Sequence, residues 1–489
     1  MSNTDCFSGQ LTFWKLGTQQ VTADFSGGRV VSDAGLLAVR RMERGLGVLS
    51  ELARRLPDPR AQKLVTHDCE RILVQSVYQI LAGYFDFNDA NDLRCDPLFQ
   101  LLADVSPDDE RPLASGSTLA RFQHAYTRRE ADRPREERST LFECRRAHLK
   151  RIEMVNAYFV ELFVKTRRRP PKRVIIDLDA TDDETHGGQQ LTLFHGHYGQ
   201  YQYYPLLIFD GETGFPLGAC LRHGTAGAGL GAAEEIERIV RALRAVWPDV
   251  EIIVRGDAGF ATPEMYDCCE GLTLKYAFGY SSNNVLKHRT ELKLRYALAL
   301  CELYDEKQQF FQTIDDYQAG GWPHPRRIVA KIEAMPQGSN RRFVVTNLEG
   351  SPAEIYHGFY VQRGNVPERP IGQLKNGLGA DRLSSPRFLA NAWKLQCHVL
   401  AYAVYVLFQE ANASVPEIAG KEVATLRQQL FKAGAVVETS VRRIWIHFSG
   451  HWPRRSLLVR ICEAVDRYLA GFLPEPTATG PPRDLLWLG

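Results

Sequence analysis

Apolar residues recur every three or four positions over long parts of this chain, and this spacing predicts amphipathic helices. The pattern is clear in residues 29–105, where Ser32 and Asp33 precede the first apolar run and provide a helix-capping signal. The other stretches with helical spacing are 140–165, 231–247, about 368–410 and 423–472, the last with a strand near 441–448. We therefore expect helices to predominate at both ends of the chain.

Between these regions, short runs of β-branched and other apolar residues predict strands. The runs lie at 173–179, about 202–209, about 216–222 and 251–255. A helix is predicted between the third and fourth runs, so the order indicates a mixed α/β sheet with that helix crossing over it. Two further runs, "RRIVAKIEA" and "RRFVVTNLEG", predict strands within residues 281–350.

The first predicted strand ends in many acids, in "VIIDLDATDDETHGGQQ" (residues 174–190). Its apolar residues suit a central strand covered on both faces. A buried carboxylate without a partner is costly, so acids in such a strand need a reason. The acids are Asp177, Asp179, Asp182, Asp183 and Glu184. Either they form an exposed turn at the strand end, or some of them hold a divalent cation.

Asp179 and Asp257 are the acids that two strand ends could bring together. Asp179 closes the first strand and Asp257 follows the strand at 251–255. If these strands pair in parallel, about 4.8 Å apart, both carboxylates reach one ion. Oxygen ligands without clustered cysteine or histidine favour Mg²⁺ or Mn²⁺. The alternative is that Asp179 caps a turn with Thr181 and that Asp257–Gly259 is only a turn.

Two other motifs compete for a functional role. His195 and His197 form an H-x-H pair, which we interpret as two solvent-facing strand residues rather than a metal site. "GAGLGA" (227–232) resembles a dinucleotide-binding loop and opens a helix, but "RHGTA" separates it from the preceding strand. We therefore expect a flexible glycine loop there.

Composition places the chain among multidomain globular proteins. It has 489 residues, 44% of them hydrophobic, and a net charge of +2. Its ten cysteines show no C-x-x-C pair, which favours reduced thiols, a cytoplasmic location and no structural zinc. No signal peptide is apparent, and the most apolar stretch, Val399–Phe408, is too short to span a membrane. We expect it to be a core helix.

Several blocks, in order along the chain, resemble those of a known family. They are "DLDATDDETHGGQQ", "GHYGQYQYYPLLIF", "LRHGTAGAGLGA", "IIVRGDAGF" and "YVQRGNVPERPIGQLKNG". They are similar to blocks of the DDE transposases of bacterial insertion sequences, and most of all to the thirteen-eighty insertion-sequence family of the insertion-sequence-four-like superfamily. The resemblance implies a ribonuclease-H-like catalytic core, in which the first strand lies beside the fourth.

The resemblance also implies the site residues. The D-x-T of the first block falls on Asp179 and Thr181, and the second acid falls on Asp257. The Tyr–Arg–Glu–Lys signature of the family falls on Tyr360, Arg363, Glu368 and Lys375. Four residues separate Arg363 from Glu368, where the usual pattern has three. Asp177 is expected to be a neighbour of the site rather than a principal metal ligand.

By this resemblance, Asp179, Asp257 and Glu368 hold Mg²⁺ or Mn²⁺ for strand cleavage and strand transfer. Tyr360, Arg363 and Lys375 would position phosphates without reading sequence. The partners would be double-stranded DNA, both terminal inverted repeats and target, and a second copy of the chain, with no membrane. Two alternatives remain open: a metal-dependent nuclease on the same fold, and a catalytically decayed DNA-binding protein.

We accordingly divide the chain into five segments. They are a mainly helical N-terminal DNA-binding region (1–165), the first part of the core (166–280), a strand-rich insertion (281–350), a segment completing the core with the third acid (351–415) and a C-terminal region (416–489). Long-range attraction to DNA is expected from arginine clusters at 128–129, 145–146, 167–173, 326–327 and 341–342.

Trp322, in "AGGWPHPRR", has two possible roles. Two glycines precede it and two arginines follow, so a loop could present its indole for stacking on a flipped base. The alternative is a tryptophan packed beneath a hairpin of the insertion.

Overall fold

The structure is a computed structural model that describes residues 10–58, 60, 62–109, 111–124, 137–196, 198–364 and 368–472. A single large apolar cluster connects the helices of both ends of the chain with the main sheet.

The N-terminal part contains a separate hairpin, a short strand and then helices. Its strands are β1 (Leu11–Leu16), β2 (Gln19–Ala23) and β3 (Val30–Val31). Its helices are α1 (Leu36–Leu46), α2 (Val48–Arg55), α3 (Cys69–Ala82), α4 (Asp89–Leu93), α5 (Pro97–Leu102), α6 (Gly116–His124) and α7 (Glu137–Lys165). Helix α3 shows how sequence sets such boundaries: the Asp68 side chain accepts a hydrogen bond from the Arg71 amide, and Gly83 ends the helix at φ 94°.

The middle of the chain alternates strands with helices. Its elements are β4 (Arg173–Ala180), β5 (Asp183–Glu184), β6 (Leu193–His195), β7 (Gln200–Tyr203), β8 (Leu206–Asp210), β9 (Pro216–Cys220), α8 (Ala232–Val246), β10 (Glu251–Gly256), α9 (Pro263–Gly271), β11 (Lys275–Tyr280), α10 (Asn284–Arg289), α11 (Glu291–Tyr304), β12 (Gln308–Tyr317), β13 (Arg326–Met335) and β14 (Gly338–Thr346). The run predicted at about 202–209 is two strands, because Pro205 has no amide hydrogen to continue one ladder.

The last part of the chain is helical apart from one hairpin. Its elements are α12 (Glu368–Gly372), α13 (Phe388–Ala411), α14 (Val423–Leu426), β15 (Ala435–Thr439), β16 (Ile444–Phe448) and α15 (Arg455–Ala470). Helix α13 contains the most apolar stretch of the sequence and is buried over most of its length, as predicted for a core helix. Among the described residues, no helix is long and apolar enough to cross a membrane.

The main sheet has eight strands in the order β12-β13-β14-β11-β10-β4-β8-β9. Strand β4 pairs in parallel with β10, which is the condition on which the pairing of Asp179 with Asp257 depended, and β10 pairs in parallel with β11. Strands β8 and β9 continue antiparallel on the other side of β4. Two smaller sheets, β5-β7-β6 and β16-β15-β3, and the β1-β2 hairpin complete the β structure of the described residues.

Residues 281–350 differ from the prediction in their first part, which forms helices α10 and α11. Asn283 starts the first helix by accepting a hydrogen bond from the Leu286 amide. Helix α11 then buries Ala297 and Cys301 against Ala334 of β13. The predicted strands follow, and β14 pairs antiparallel with β11, so all three strands extend the main sheet.

Trp322 is a core residue, and its proposed exposure on a loop is wrong. Only 7% of its surface is exposed. Its ring lies 5.2 Å from Tyr266, 5.4 Å from Tyr280 and 5.6 Å from Tyr317, measured between centroids. Packing beneath the insertion strands, the alternative interpretation, is therefore correct.

Candidate active site

Asp179 and Asp257 lie at matching positions of two adjacent parallel strands. Asp177 of β4 is opposite Arg255 of β10 in the register, and Asp179 and Asp257 each follow two residues later. Asp257 also begins a tight turn, because its carboxylate accepts a hydrogen bond of 2.8 Å from the Gly259 amide. The turn interpretation and the paired-acid interpretation of Asp257 are thus compatible.

Asp177 forms a buried ion pair with Arg255. The guanidinium donates from Nε and Nη2 to the two Asp177 carboxylate oxygens at 2.6 and 2.7 Å. It also donates to the carbonyl of Phe359 at 2.7 Å, which ties the segment before Tyr360 to the sheet. Burial raises the pKa of Asp177 although Arg255 opposes that shift. We did not single out Arg255 from the sequence; a charged residue inside the apolar run "EIIVR" was the available signal.

Asp179 faces Arg363 and two other acids. Arg363 Nη2 lies 3.3 Å from Asp179 Oδ1, and each side chain is only 15% exposed. Burial raises the pKa of Asp179 to about 6; Arg363 lowers it, and the negative charges of Asp257 and Glu368 raise it. All three predicted acids therefore share one electrostatic environment.

The three acids do not form a closed metal-ligand cluster. Glu368 is exposed on the first turn of α12. Within the described residues, no group of three or more His, Cys, Asp or Glu is arranged to hold a metal ion. Arg363 pairs with Asp179 while Glu368 is exposed, and a metal site formed by the three acids stays a prediction.

Tyr360 lies against the strand next to the acids. A Cβ atom at Gly279 of β11 would lie 2.5 Å from the Tyr360 hydroxyl and 2.9 Å from the Ala258 amide nitrogen. Burial is the main cause that raises the pKa of Tyr360, and Arg363 lowers it. Gly279, which sequence reasoning missed, leaves the space in which Tyr360 approaches Asp257.

Comparison with known proteins gives the family of this chain. A family model described as "Transposase DDE domain group 1" matches residues 13–469. The chain belongs to the DDE transposases. It is therefore an enzyme that cleaves and transposes DNA.

A search of solved structures found, among others, the cryo-EM structure of the piggyBac transposase synaptic complex with hairpin DNA. The similarity covers 93% of this chain and 88% of that one, at 11% sequence identity and a TM-score of 0.41. No match was found among curated protein sequences.

Lys375 of the transposase lies beside the residues that follow β4. Its ammonium donates to the Asp182 carbonyl at 2.9 Å, to Asp182 Oδ1 at 3.1 Å and to the Thr181 hydroxyl at 3.3 Å. Burial opposes the effect, but Lys375 holds the pKa of Asp182 below its ordinary value. Tyr360, Arg363 and Lys375 thus all lie near the ends of β4 and its neighbouring strands, and their role in binding DNA stays a prediction.

Hydrogen bonds from one arginine hold the glycine loop of the transposase. The Arg222 guanidinium donates to the carbonyls of Gly227, Ala228 and Leu230 at 3.2, 2.7 and 2.9 Å. A phosphate-binding loop presents amide hydrogens, whereas this loop turns its carbonyls inwards. Dinucleotide binding is therefore excluded here, and Arg222 is a second residue that sequence reasoning missed.

The histidine pair gives no metal site that the structure describes. His195 lies at the end of β6 with its ring 5.0 Å from that of Tyr198 and 5.7 Å from that of Tyr204. It is half-buried, so the prediction of a solvent-facing residue is only partly right. His197 lies outside the described residues.

Several arginines expected to attract DNA are neutralised. Arg326 is buried in a two-bond ion pair with Glu270. Arg341 pairs with Glu291, and Arg167 pairs with Glu410. The cluster at 128–129 lies outside the described residues. These partners were invisible in the sequence because each pair joins residues far apart along the chain.

Proposed function

We propose that this transposase cleaves and joins the ends of a bacterial insertion sequence of the thirteen-eighty family. Asp179, Asp257 and Glu368 are the proposed catalytic acids. The observation that carries the proposal is the placement of Asp179 and Asp257 at matching ends of adjacent parallel strands. Asp179 is only 15% exposed, and the charge of Glu368 raises its pKa. A purely structural turn would not require this concentration of negative charge.

The strand order supports a ribonuclease-H-like core. Strand β4 lies between β8 and β10, and helix α8 connects β9 to β10. In the proposed division, residues 166–280 and 351–415 form this core and 281–350 are inserted into it. Residues 1–165 would be the N-terminal DNA-binding region, and 416–489 the C-terminal region.

The donor atoms of the three proposed acids are of the kind that a hard divalent cation prefers. They are carboxylate oxygens, and the raised pKa of Asp179, about 6, reflects a buried acid with too little positive charge around it. Asp179 and Asp257 would hold Mg²⁺ or Mn²⁺, and Glu368 would complete the set from the first turn of α12. When bound, the metal would lower the pKa of the attacking water or 3′-hydroxyl and stabilise the leaving oxygen.

Arg363, Lys375 and Tyr360 would position the DNA. Arg363 forms an ion pair with Asp179 at 3.3 Å. If the negative charge of Asp179 were neutralised, this ion pair would weaken and the guanidinium would be free to bind a phosphate. Lys375 keeps the loop after β4 in place through Asp182 and Thr181. Tyr360, beside Asp257, is close enough to orient a phosphate next to the acids.

The remaining features of the proposal follow from the resemblance in the sequence. The enzyme would act in the cytoplasm on double-stranded DNA and bind the terminal inverted repeats as a homodimer. Because the two ends of an element must be joined to one target, two copies of the site are needed at one place.

The test is a cleavage assay on a supercoiled plasmid that carries the coding sequence with its flanking DNA. Wild-type protein should nick it with Mg²⁺ or Mn²⁺ and not in EDTA. Asp179→Asn, Asp257→Asn and Glu368→Gln should each lose nicking by at least about a hundredfold while still binding DNA.

Matched controls lie at the start of β10, the strand whose other end precedes Asp257. Asp249 and Glu251 are both exposed, so Asp249→Asn and Glu251→Gln make the same chemical changes away from the site. They should cleave like the wild type. Nicking that persists in Glu368→Gln would remove Glu368 from the triad, and nicking that persists in all three variants would refute the site.

A further inference from the structure

The hairpin near the C-terminal end concentrates positive charge. We call the segment from β15 through β16 and the turn between them the C-terminal hairpin. Residues 439–462, which run from the end of β15 through β16 into the first half of α15, contain no Asp or Glu, and Glu438 directly precedes them. They contain five arginines and two histidines, namely Arg442, Arg443, Arg454, Arg455, Arg460, His447 and His451. In a chain of net charge +2, this is a local basic surface.

One face of β16 displays a row of flat side chains to solvent. Arg443, Trp445 and His447 alternate along the strand and therefore point to the same side. The Trp445 and His447 rings are stacked at 5.9 Å with 13° between their planes, and the Arg443 guanidinium lies 5.6 Å from the Trp445 ring. Trp445 is 48% exposed.

The opposite face anchors the hairpin. Ile446 and Phe448 are partly buried against the main apolar cluster, and Phe448 stacks on Trp452 at 5.6 Å. Strand β15 pairs with β3 on its other edge, so β16 is the free edge of a three-stranded sheet. The exposed tryptophan therefore belongs to a supported surface rather than to a loose end.

Three arginines of this surface are available, whereas Arg460 pairs with Glu417 at 2.6 Å. In the described part of the chain, no carboxylate forms an ion pair with Arg442, Arg443 or Arg455, in contrast to Arg326, Arg341 and Arg167 described above. Glu438, opposite Trp445 in the register, lies 3.6 Å from His447. Val441 at the tip of the hairpin is fully exposed, and Arg442 and Arg443, which follow it, are exposed as well. A ligand can therefore reach both arginines.

We propose that the C-terminal hairpin is a DNA-contacting surface separate from the catalytic acids. Arg442 and Arg443 bind phosphates, and Trp445 offers a stacking surface to an unpaired base. A two-stranded β-ribbon also fits the major groove of a duplex. The choice of DNA as ligand rests on the proposed function, but the binding does not need the acids. An acidic protein is the competing ligand for a face of this composition.

The test measures DNA binding by the full chain in EDTA, where cleavage does not interfere. The probes are a fluorescent 30-base-pair duplex, blunt or with a four-nucleotide overhang, at several salt concentrations. Arg442→Ala combined with Arg443→Ala should reduce the slope of log Kd against log salt by roughly 2. Trp445→Ala should weaken overhang binding by about fivefold or more, with a smaller effect on the blunt duplex, and Trp445→Phe should restore most of it.

The matched control removes two exposed arginines elsewhere. Arg241 and Arg295 each pair with a glutamate one helical turn earlier, so Arg241→Ala with Arg295→Ala changes net charge equally. This variant should keep the wild-type slope. Circular dichroism and the unfolding midpoint show whether the hairpin variants remain folded.

A wild-type slope and affinity in the folded Arg442 and Arg443 double variant would overturn the proposal. If that variant instead loses binding to polyglutamate while DNA binding is unchanged, the hairpin is a protein contact and the proposal fails as well. Neither result would affect the catalytic site, because loss of nicking in the acid variants is measured separately.

Discussion

Arg255 donates two hydrogen bonds, of 2.6 and 2.7 Å, to Asp177. The two residues lie on adjacent strands, two positions before Asp257 and Asp179 respectively. Both side chains are almost fully buried. Because Asp179 and Asp257 follow these two residues by the same interval, the ion pair fixes the register in which the acids meet. Its third bond, to the Phe359 carbonyl, fixes the segment that leads to Tyr360.

Arg255→Ala should destabilise the protein by roughly 3–5 kcal/mol, because it leaves a buried carboxylate without a partner. Urea unfolding monitored by tryptophan fluorescence measures the change. Asp177→Leu with Arg255→Met should recover most of the stability but little of the nicking, because nothing would then hold the Phe359 carbonyl. If stability and nicking recover equally, the Asp177–Arg255 ion pair has no role in positioning the catalytic acids.

Asp183→Asn should stabilise the protein, and more so as the pH rises. Asp183 is 3% exposed, and burial together with Asp381 raises its pKa to about 8. The folded state therefore keeps a proton that the unfolded chain loses near pH 4, so stability falls as the pH rises from about 4 to about 8. Asparagine cannot ionise, and its advantage should grow by roughly 2–4 kcal/mol between pH 5 and pH 8.

The measurement for Asp183 is urea unfolding of wild type and variant across that pH range. Asp249→Asn serves as the exposed control, and its difference from wild type should not change with pH. An Asp183→Asn difference that is also independent of pH would contradict the buried, protonated carboxyl.

Gly279→Ala should impair nicking more than folding. The new methyl group would lie 2.5 Å from the Tyr360 hydroxyl and 2.9 Å from the Ala258 amide, so Tyr360 and the turn at Asp257 must move. We expect a loss of at least about tenfold in nicking rate, with a stability change of roughly 1–3 kcal/mol. Gly271→Ala, where a Cβ meets nothing within 4 Å, is the control. Adding Tyr360→Phe to Gly279→Ala should recover part of the lost stability, because it removes the hydroxyl that the new methyl group would contact.

Mg²⁺ should raise the stability of the wild-type protein and not that of Asp179→Asn. At a concentration tenfold above its dissociation constant, the ion should add about 1.4 kcal/mol. Thermal unfolding in EDTA and in a Mg²⁺ series measures this difference. Equal stabilisation of both proteins would place the ion elsewhere.

Much of the site could be predicted from local patterns. A strand that ends in Asp179 and another followed by Asp257 were visible as apolar runs with terminal acids, whereas their parallel pairing was implied only by the family resemblance. Helices α10 and α11 were missed because their apolar residues are interrupted by many charges. The burial of Trp322 was a matter of tertiary packing, which the glycines beside it did not indicate.

Long-range partners could not be predicted. Arg255 reaches Asp177 across 78 positions, and Arg326 reaches Glu270 across 56. In sequence, such arginines look the same as Arg442, which is exposed. Whether an arginine is free for a phosphate is decided by the register of strands and by which helix passes over them.

The strands that follow α11 cover an edge of the main sheet. Without them, β11 would be an open edge with Phe278 and Tyr280 beside unpaired amides, a template for pairing with another molecule. Strand β14 covers that edge, and the border of the sheet moves out to β12. There the ladder is irregular between Ile314 and Tyr317, and Asp315 and Asp316 are exposed. A charged, uneven border of this kind resists edge-to-edge association. We therefore expect that removing β12 to β14 would expose the β11 edge and make the transposase prone to aggregate.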